Sequence, residues 1–165
     1  KPRSLILFDK CLMVGMITVC TAPHFRLPNA TLYHFGVLSS SMHNAFIRLT
    51  AGRLKSDYRY SNSIVYNNFQ FPFDAKNEDG NTVKAKDTIE SAAQAILDAR
   101  KLYQDSSKDA PTLAKLYNTY MIDPYPELTK AHIALDKAVD KAYGYKGKGD
   151  DASRVEFLLK RIADM

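Results

Sequence analysis

The residues with the most varied chemistry lie between Arg53 and Asn68, in the string RLKSDYRYSNSIVYNN. Arginine and lysine neutralise phosphates and donate to guanine O6 and N7, aspartate accepts from the cytosine amino group, and Asn and Ser serve bases or backbone. Every recognition chemistry for duplex DNA is therefore present in one short segment. Its candidate contact residues are Arg53, Lys55, Asp57, Arg59, Tyr60, Ser61, Asn62, Asn67 and Asn68. Lys55 and Asp57 stand two apart, and in extended backbone side chains at that spacing share a face. Such a pair can address both members of one G·C pair. The same residues also fit a solvated turn with a Lys/Asp pair and tyrosines packed on a sheet.

Charge placement bears on the choice. The chain has 165 residues and a net charge of +5. Residues 1–75 hold eight Lys or Arg against three acids, whereas the remainder holds fifteen of each sign. Attraction to a polyanion is thus confined to the first half, although two lysines more or less would blur the asymmetry. Known catalytic motifs are missing from the sequence. It has no nucleophile elbow, P-loop, GxGxxG or His-Glu-x-x-His. His24, His34, His43 and His132 are too scattered for metal-ligand spacing, so neither a metal site nor a catalytic constellation is expected. Cys11 and Cys20 form no CxxC and read as buried thiols. The longest uncharged apolar run, Cys11 to Cys20, is far short of the roughly 18 residues that cross a bilayer. With no signal peptide pattern at Lys1, a soluble cytoplasmic protein without membrane contact is expected. The opening Lys1-Pro2-Arg3, without an initiator methionine, reads as part of a longer protein.

The elements that would position the candidates follow from periodicity. Residues 5–20 suit two short strands or one bent strand. Asn29 is the expected N-cap of one helix whose Leu32, Phe35, Leu38, Met42, Ala45, Phe46 and Leu49 recur at three- and four-residue steps, closed by Gly52. Ser39-Ser40-Ser41 reads as its small-residue packing face. Tyr58 to Phe73 reads as strand, turn and extended exit. The polar stretch 75–86 is the expected linker. Beyond it, Asp87 and Glu90 form a capping-box pattern for a helix to about Tyr103. Pro111 opens a short helix through Tyr117, Pro126 opens one ended by Gly144, and Ser153 with Glu156 caps a last one. The fold class expected is α+β: a mixed α/β domain over 1–74, the linker 75–86, and an all-α domain over 87–165.

The segment from Tyr33 to Pro72, with SSSMHNAFIR, GRLKSDYRYS and IVYNNFQFP in succession, closely resembles the specificity region of MmeI-like restriction-modification enzymes that methylate adenine at N6. The strings IESAAQAILDAR, LAKLY, ELTKAHIALDKAVDKAYG and RVEFLLKRI resemble that family's helical C-terminal domain. The resemblance implies a target-recognition domain over 1–74, with duplex DNA as partner. Arg53, Lys55, Asp57, Arg59 and Tyr60 then fall on the family's recognition loop, and Asn67 and Asn68 match its VYNNF string. Such enzymes carry a glycine-rich loop and an Asn-Pro-Pro-Tyr motif, and neither is in this sequence. The resemblance therefore implies that S-adenosylmethionine binds in an upstream methyltransferase domain of the same protein, which would be this chain's other partner, with no cofactor held here. The competing class is a protein-interaction module whose helical half docks a partner subunit.

Overall fold

The computed structural model describes residues 12–13, 16–17, 27, 29–54, 57–73, 80–105, 110–117 and 125–164. Two-residue strands β1 (Leu12–Met13) and β2 (Met16–Ile17) pair antiparallel, and the rest of the expected strand region 5–20 lies outside the described residues.

The helix expected from Asn29 to Leu49 is two helices, α1 (Leu32–Ser39) and α2 (Ser41–Thr50). Asn29 takes a left-handed φ of 59°, and the cap is Thr31, whose hydroxyl accepts from the Tyr33 amide at 3.2 Å. His34 Nδ1 completes the capping box by accepting from the Thr31 amide at 3.1 Å. The break falls at Ser40, which is extended at φ −75°, ψ 159°. Its hydroxyl donates to the Val37 carbonyl at 2.7 Å and accepts from the His43 amide at 3.3 Å, so one side chain closes α1 and caps α2. Apolar spacing runs on across the break, which is why periodicity alone reads a single helix.

Strands β3 (Gly52–Leu54) and β4 (Asp57–Arg59) pair antiparallel with Arg53 opposite Tyr58. Residues 62–66 form a π-helical turn instead of continuing as strand. Ser61 accepts from the Ile64 amide at 3.4 Å, and Asn68 Nδ2 donates to the Ser63 and Ile64 carbonyls at 3.1 and 2.9 Å. These side-chain bonds offer the backbone local partners that outweigh the strand propensity of Ile64, Val65 and Tyr66.

Four helices follow: α3 (Gly80–Gln104), α4 (Leu113–Leu116), α5 (Pro126–Tyr143) and α6 (Asp151–Ala163). Helix α3 starts seven residues before the expected Asp87, so residues 80–86 of the expected linker are helical and 74–79 lie outside the described residues. Glu90 does not cap; its carboxylate accepts from the Tyr33 amide at 3.2 Å, joining α3 to α1. Pro126 stands at the first turn of α5 and Gly144 ends it at φ 70°, as expected. The α6 cap is Asp150, which accepts from the Ser153 amide at 2.7 Å.

Among the described residues strand is limited to the two ribbons, and the fold is mostly helical. Helix α1 packs on α3 and α5, α3 packs on α5, and α2 packs on α6. One core therefore unites both halves, with Val37, Met42, Ile47, Val65, Ile89, Ile96, Leu135 and Val139 wholly buried. Close approach at its centre depends on Gly36: a Cβ there would lie 2.7 Å from Ile89 Cγ2 and 3.2 Å from Leu135 Cδ1. Polar ties reinforce the joint. Asp136 on α5 accepts from the Ser41 amide and hydroxyl at 2.8 and 2.7 Å and Arg48 on α2 pairs with Asp151 on α6, while within the second half buried Arg154 on α6 grips Asp140 on α5 at 2.8 Å. No described helix is long and apolar enough to cross a membrane.

Candidate nucleic-acid interface

The candidate interface is the β3–β4 hairpin and the π-helical turn after it. Arg53 and Tyr58, opposite one another in the ladder, also interact through their side chains. The Arg53 guanidinium donates to the Tyr58 hydroxyl at 3.1 Å and lies 4.8 Å from the ring centroid. Stacking and hydrogen bond together orient an exposed guanidinium on the hairpin, with no further partner for it among the described side chains. Lys55 and Ser56 lie outside the described residues, and Asp57 and Arg59 are described in backbone only.

Tyr60 departs from its expected role. It is 8% exposed, and its hydroxyl lies 3.2 Å from Nε2 of His43, which is itself fully buried on α2. Burial pushes the Tyr60 phenol well above its usual range and drives the His43 imidazole down to about 3, so both stay neutral. The pair is packed against Phe69, whose ring centroid is 4.3 Å from that of His43. Tyr60 thus anchors the hairpin to the helical core instead of presenting its hydroxyl outward. The sequence carries no spacing rule that pairs His43 with Tyr60.

The remaining candidates cluster in the π-helical turn. Ser61 caps it, and its hydroxyl lies 3.0 Å from that of Ser63. Asn62 is exposed, with its side-chain carbonyl accepting from the Ser63 amide at 2.8 Å. Asn68 is held by the two carbonyl bonds already described. Asn67 is exposed, and its side-chain amide makes no hydrogen bond among the described residues. The structure thus brings Arg53 to the hairpin and Ser61, Asn62, Asn67 and Asn68 to one turn, with Tyr60 as the joint between them. Sequence reasoning missed Tyr58, which orients Arg53, and Asp136, which holds the start of α2. For Tyr58 there was a signal: its two-residue spacing from Tyr60 in an extended segment.

Comparison with known proteins covers both halves. Residues 10–73 match the MmeI target recognition domain and residues 81–165 match the MmeI C-terminal domain. Over 153 residues the chain is 35% identical to DNA methyltransferase A of Bacillus subtilis (strain 168), covering 93% of this chain and 16% of that protein. Among solved structures it resembles the type IIL restriction-modification enzyme MmeI in complex with DNA, at a TM-score of 0.68 and 43% identity, covering 84% of this chain and 17% of that one. The chain spans about a sixth of the length of these relatives.

Proposed function

Because this chain belongs to the MmeI family, we propose that it is the DNA-reading portion of a restriction-modification enzyme that methylates adenine at N6. The observation that carries this is the stacked, exposed Arg53 on a hairpin anchored to a helical core, in a chain 43% identical to an enzyme described in complex with DNA. Lys55 and Asp57 select a G·C pair, Arg53 and Arg59 contact phosphates, and Ser61, Asn62, Asn67 and Asn68 supply further polar contacts. Tyr60 positions the hairpin through His43. The recognition unit lies over 1–74, and helices α3 to α6, which begin at Gly80, brace it. The +5 held by residues 1–75 favours association with a polyanion.

Methyl transfer belongs to another domain of the parent enzyme, acting in the cytoplasm. S-adenosylmethionine would supply the methyl group there. The residues of this chain do not fit that cofactor, since its sequence has neither the family's glycine-rich loop nor Asn-Pro-Pro-Tyr. Titration of a labelled duplex at two salt concentrations tests the reading. Affinity should be weak and fall with salt, each neutralised phosphate contributing a slope of about −0.9. Salt-independent affinity, or none at low salt, overturns it.

A further inference from the structure

A cleft of about 580 Å³ opens between the start of α1, the segment 66–73 and helices α3 and α6. That size falls in the roughly 300–1,000 Å³ range of small-molecule sites. Phe71 is the hub of its aromatic wall, with the Tyr33, His34 and Tyr66 ring centroids 6.2, 5.8 and 6.0 Å away. Each contact is tilted or edge-on, with interplanar angles of 43°, 60° and 68°. Phe69 also meets Phe71 edge-on at 5.6 Å, and Lys86 lies over the ring of buried Tyr33 at 5.9 Å, so the ring surface left to a flat guest is that of the half-buried Tyr66, Phe71 and Phe73.

The polar groups favour an anion attached to that guest. Arg161 lines the cleft, lies over the Tyr143 ring and donates one N–H to the Pro72 carbonyl at 3.3 Å, leaving the rest of its fork uncommitted among the described residues. His34 Nδ1 is occupied as an acceptor from the Thr31 amide, which places the ring proton on Nε2 as a further donor. Burial lowers its pKa, keeping that ring neutral. Two cations, Lys86 and Arg161, face one carboxylate, Glu90, which already accepts from the Tyr33 amide. An apolar guest would leave the Arg161 and His34 donors without acceptors.

We propose that this cleft binds one unstacked nucleotide, with its base among the rings around Phe71 and its phosphate on Arg161. Aromatic stacking with a guanidinium on the phosphate is how proteins commonly hold unpaired nucleotides. The guest is either a free nucleoside monophosphate or one nucleotide of a single strand, which share this chemistry. The site is separate from the hairpin and does not depend on the duplex-reading role.

Ligand-observed NMR and calorimetry on the 165-residue chain test it, with adenosine monophosphate, adenosine, inorganic phosphate and a short single-stranded oligodeoxynucleotide as probes. Adenosine monophosphate should bind about tenfold more tightly than adenosine or phosphate alone. If only the oligonucleotide binds, and Arg161→Gln weakens it, the site stands and its guest is a strand. Arg161→Gln should weaken adenosine monophosphate about tenfold and leave adenosine unchanged, whereas Arg161→Lys should recover part of the loss. Duplex affinity of Arg161→Gln, measured in parallel, should be unchanged, which keeps failure here distinct from failure of the hairpin reading. No binding of any probe, measurable binding of adenosine and its monophosphate with equal affinity, or indifference to Arg161→Gln overturns the proposal.

Discussion

Replacing Gly36 with alanine sets two effects against each other. An alanine in a helix is favoured over glycine by about 1 kcal/mol. Against that, the new methyl would sit 2.7 Å from Ile89 Cγ2, 3.2 Å from Leu135 Cδ1 and 3.3 Å from the Ala93 methyl. Ordinary carbon contacts are about 3.5–4.0 Å, and the three neighbours belong to two different helices, α3 and α5. Helix α1 cannot retreat from one without changing its fit to the other. Overpacking of this kind costs about 1–3 kcal/mol, so the steric cost outweighs the propensity gain. Gly36→Ala should destabilise the chain by about 1 kcal/mol, a fall in Tm of about 2–4 °C. Ile89→Ala removes the closest atom and costs about 2–5 kcal/mol by itself. In that background Gly36→Ala should become neutral or stabilise by up to about 1 kcal/mol, a coupling of about 1–2 kcal/mol. Urea unfolding of the four proteins, followed by circular dichroism, measures the cycle. Stabilisation by Gly36→Ala alone, or additive effects in the double variant, would refute the close-packing argument.

Asp136→Ala strips the start of α2 of two bonds to a buried carboxylate; a loss of about 3 kcal/mol in urea unfolding is expected, and a smaller one for Asp136→Asn, which keeps an acceptor. His43, held at about 3 when folded, binds a proton near 6.5 once unfolded, so its contribution to stability is complete above pH 6.5 and is lost as pH falls toward 3. Below about pH 6 the slope approaches about 1.4 kcal/mol per pH unit, and His34, also lowered by burial, acts in the same direction. Urea unfolding at pH 7 and pH 5 should show the fall, and His43→Gln should flatten it. Arg53→Ala should weaken binding to all duplexes alike and reduce the salt slope by about 0.9 while leaving Tm unchanged, measured by duplex titration and thermal melting.

Helical periodicity makes most of the α-helical scaffold legible in the sequence. Pro126 and Gly144 bracket α5 because each residue is suited to its helix end by backbone geometry alone. Where a side chain chooses between local and distant partners, sequence patterns failed. Glu90 fits a capping box but bonds to Tyr33, 57 residues away, because α1 packs on α3. Ser40 lies within an unbroken apolar period yet breaks the helix, since its hydroxyl can serve two backbone groups at once. At the candidate interface, the basic residue types were visible, but the separation of scaffold from surface was not. Tyr60 and Arg53 look alike as candidates in the string; only burial against His43 and exposure beside Tyr58 tell them apart. The polar stretch 75–86 reads as a linker, while the apolar residues on both sides enter one core.

The central claim is that the β3–β4 hairpin reads DNA sequence, and sequencing of methylated sites tests it most directly. The intact parent enzyme would carry Lys55→Glu and Asp57→Arg together, exchanging the donor and acceptor proposed for one G·C pair, each good contact being worth about 1–3 kcal/mol of discrimination. The expected result is a changed base preference at one position of the methylated site, with every other position kept. An unaltered recognition sequence, or loss of methylation at all sites, would contradict the claim and make the pair part of a structural turn.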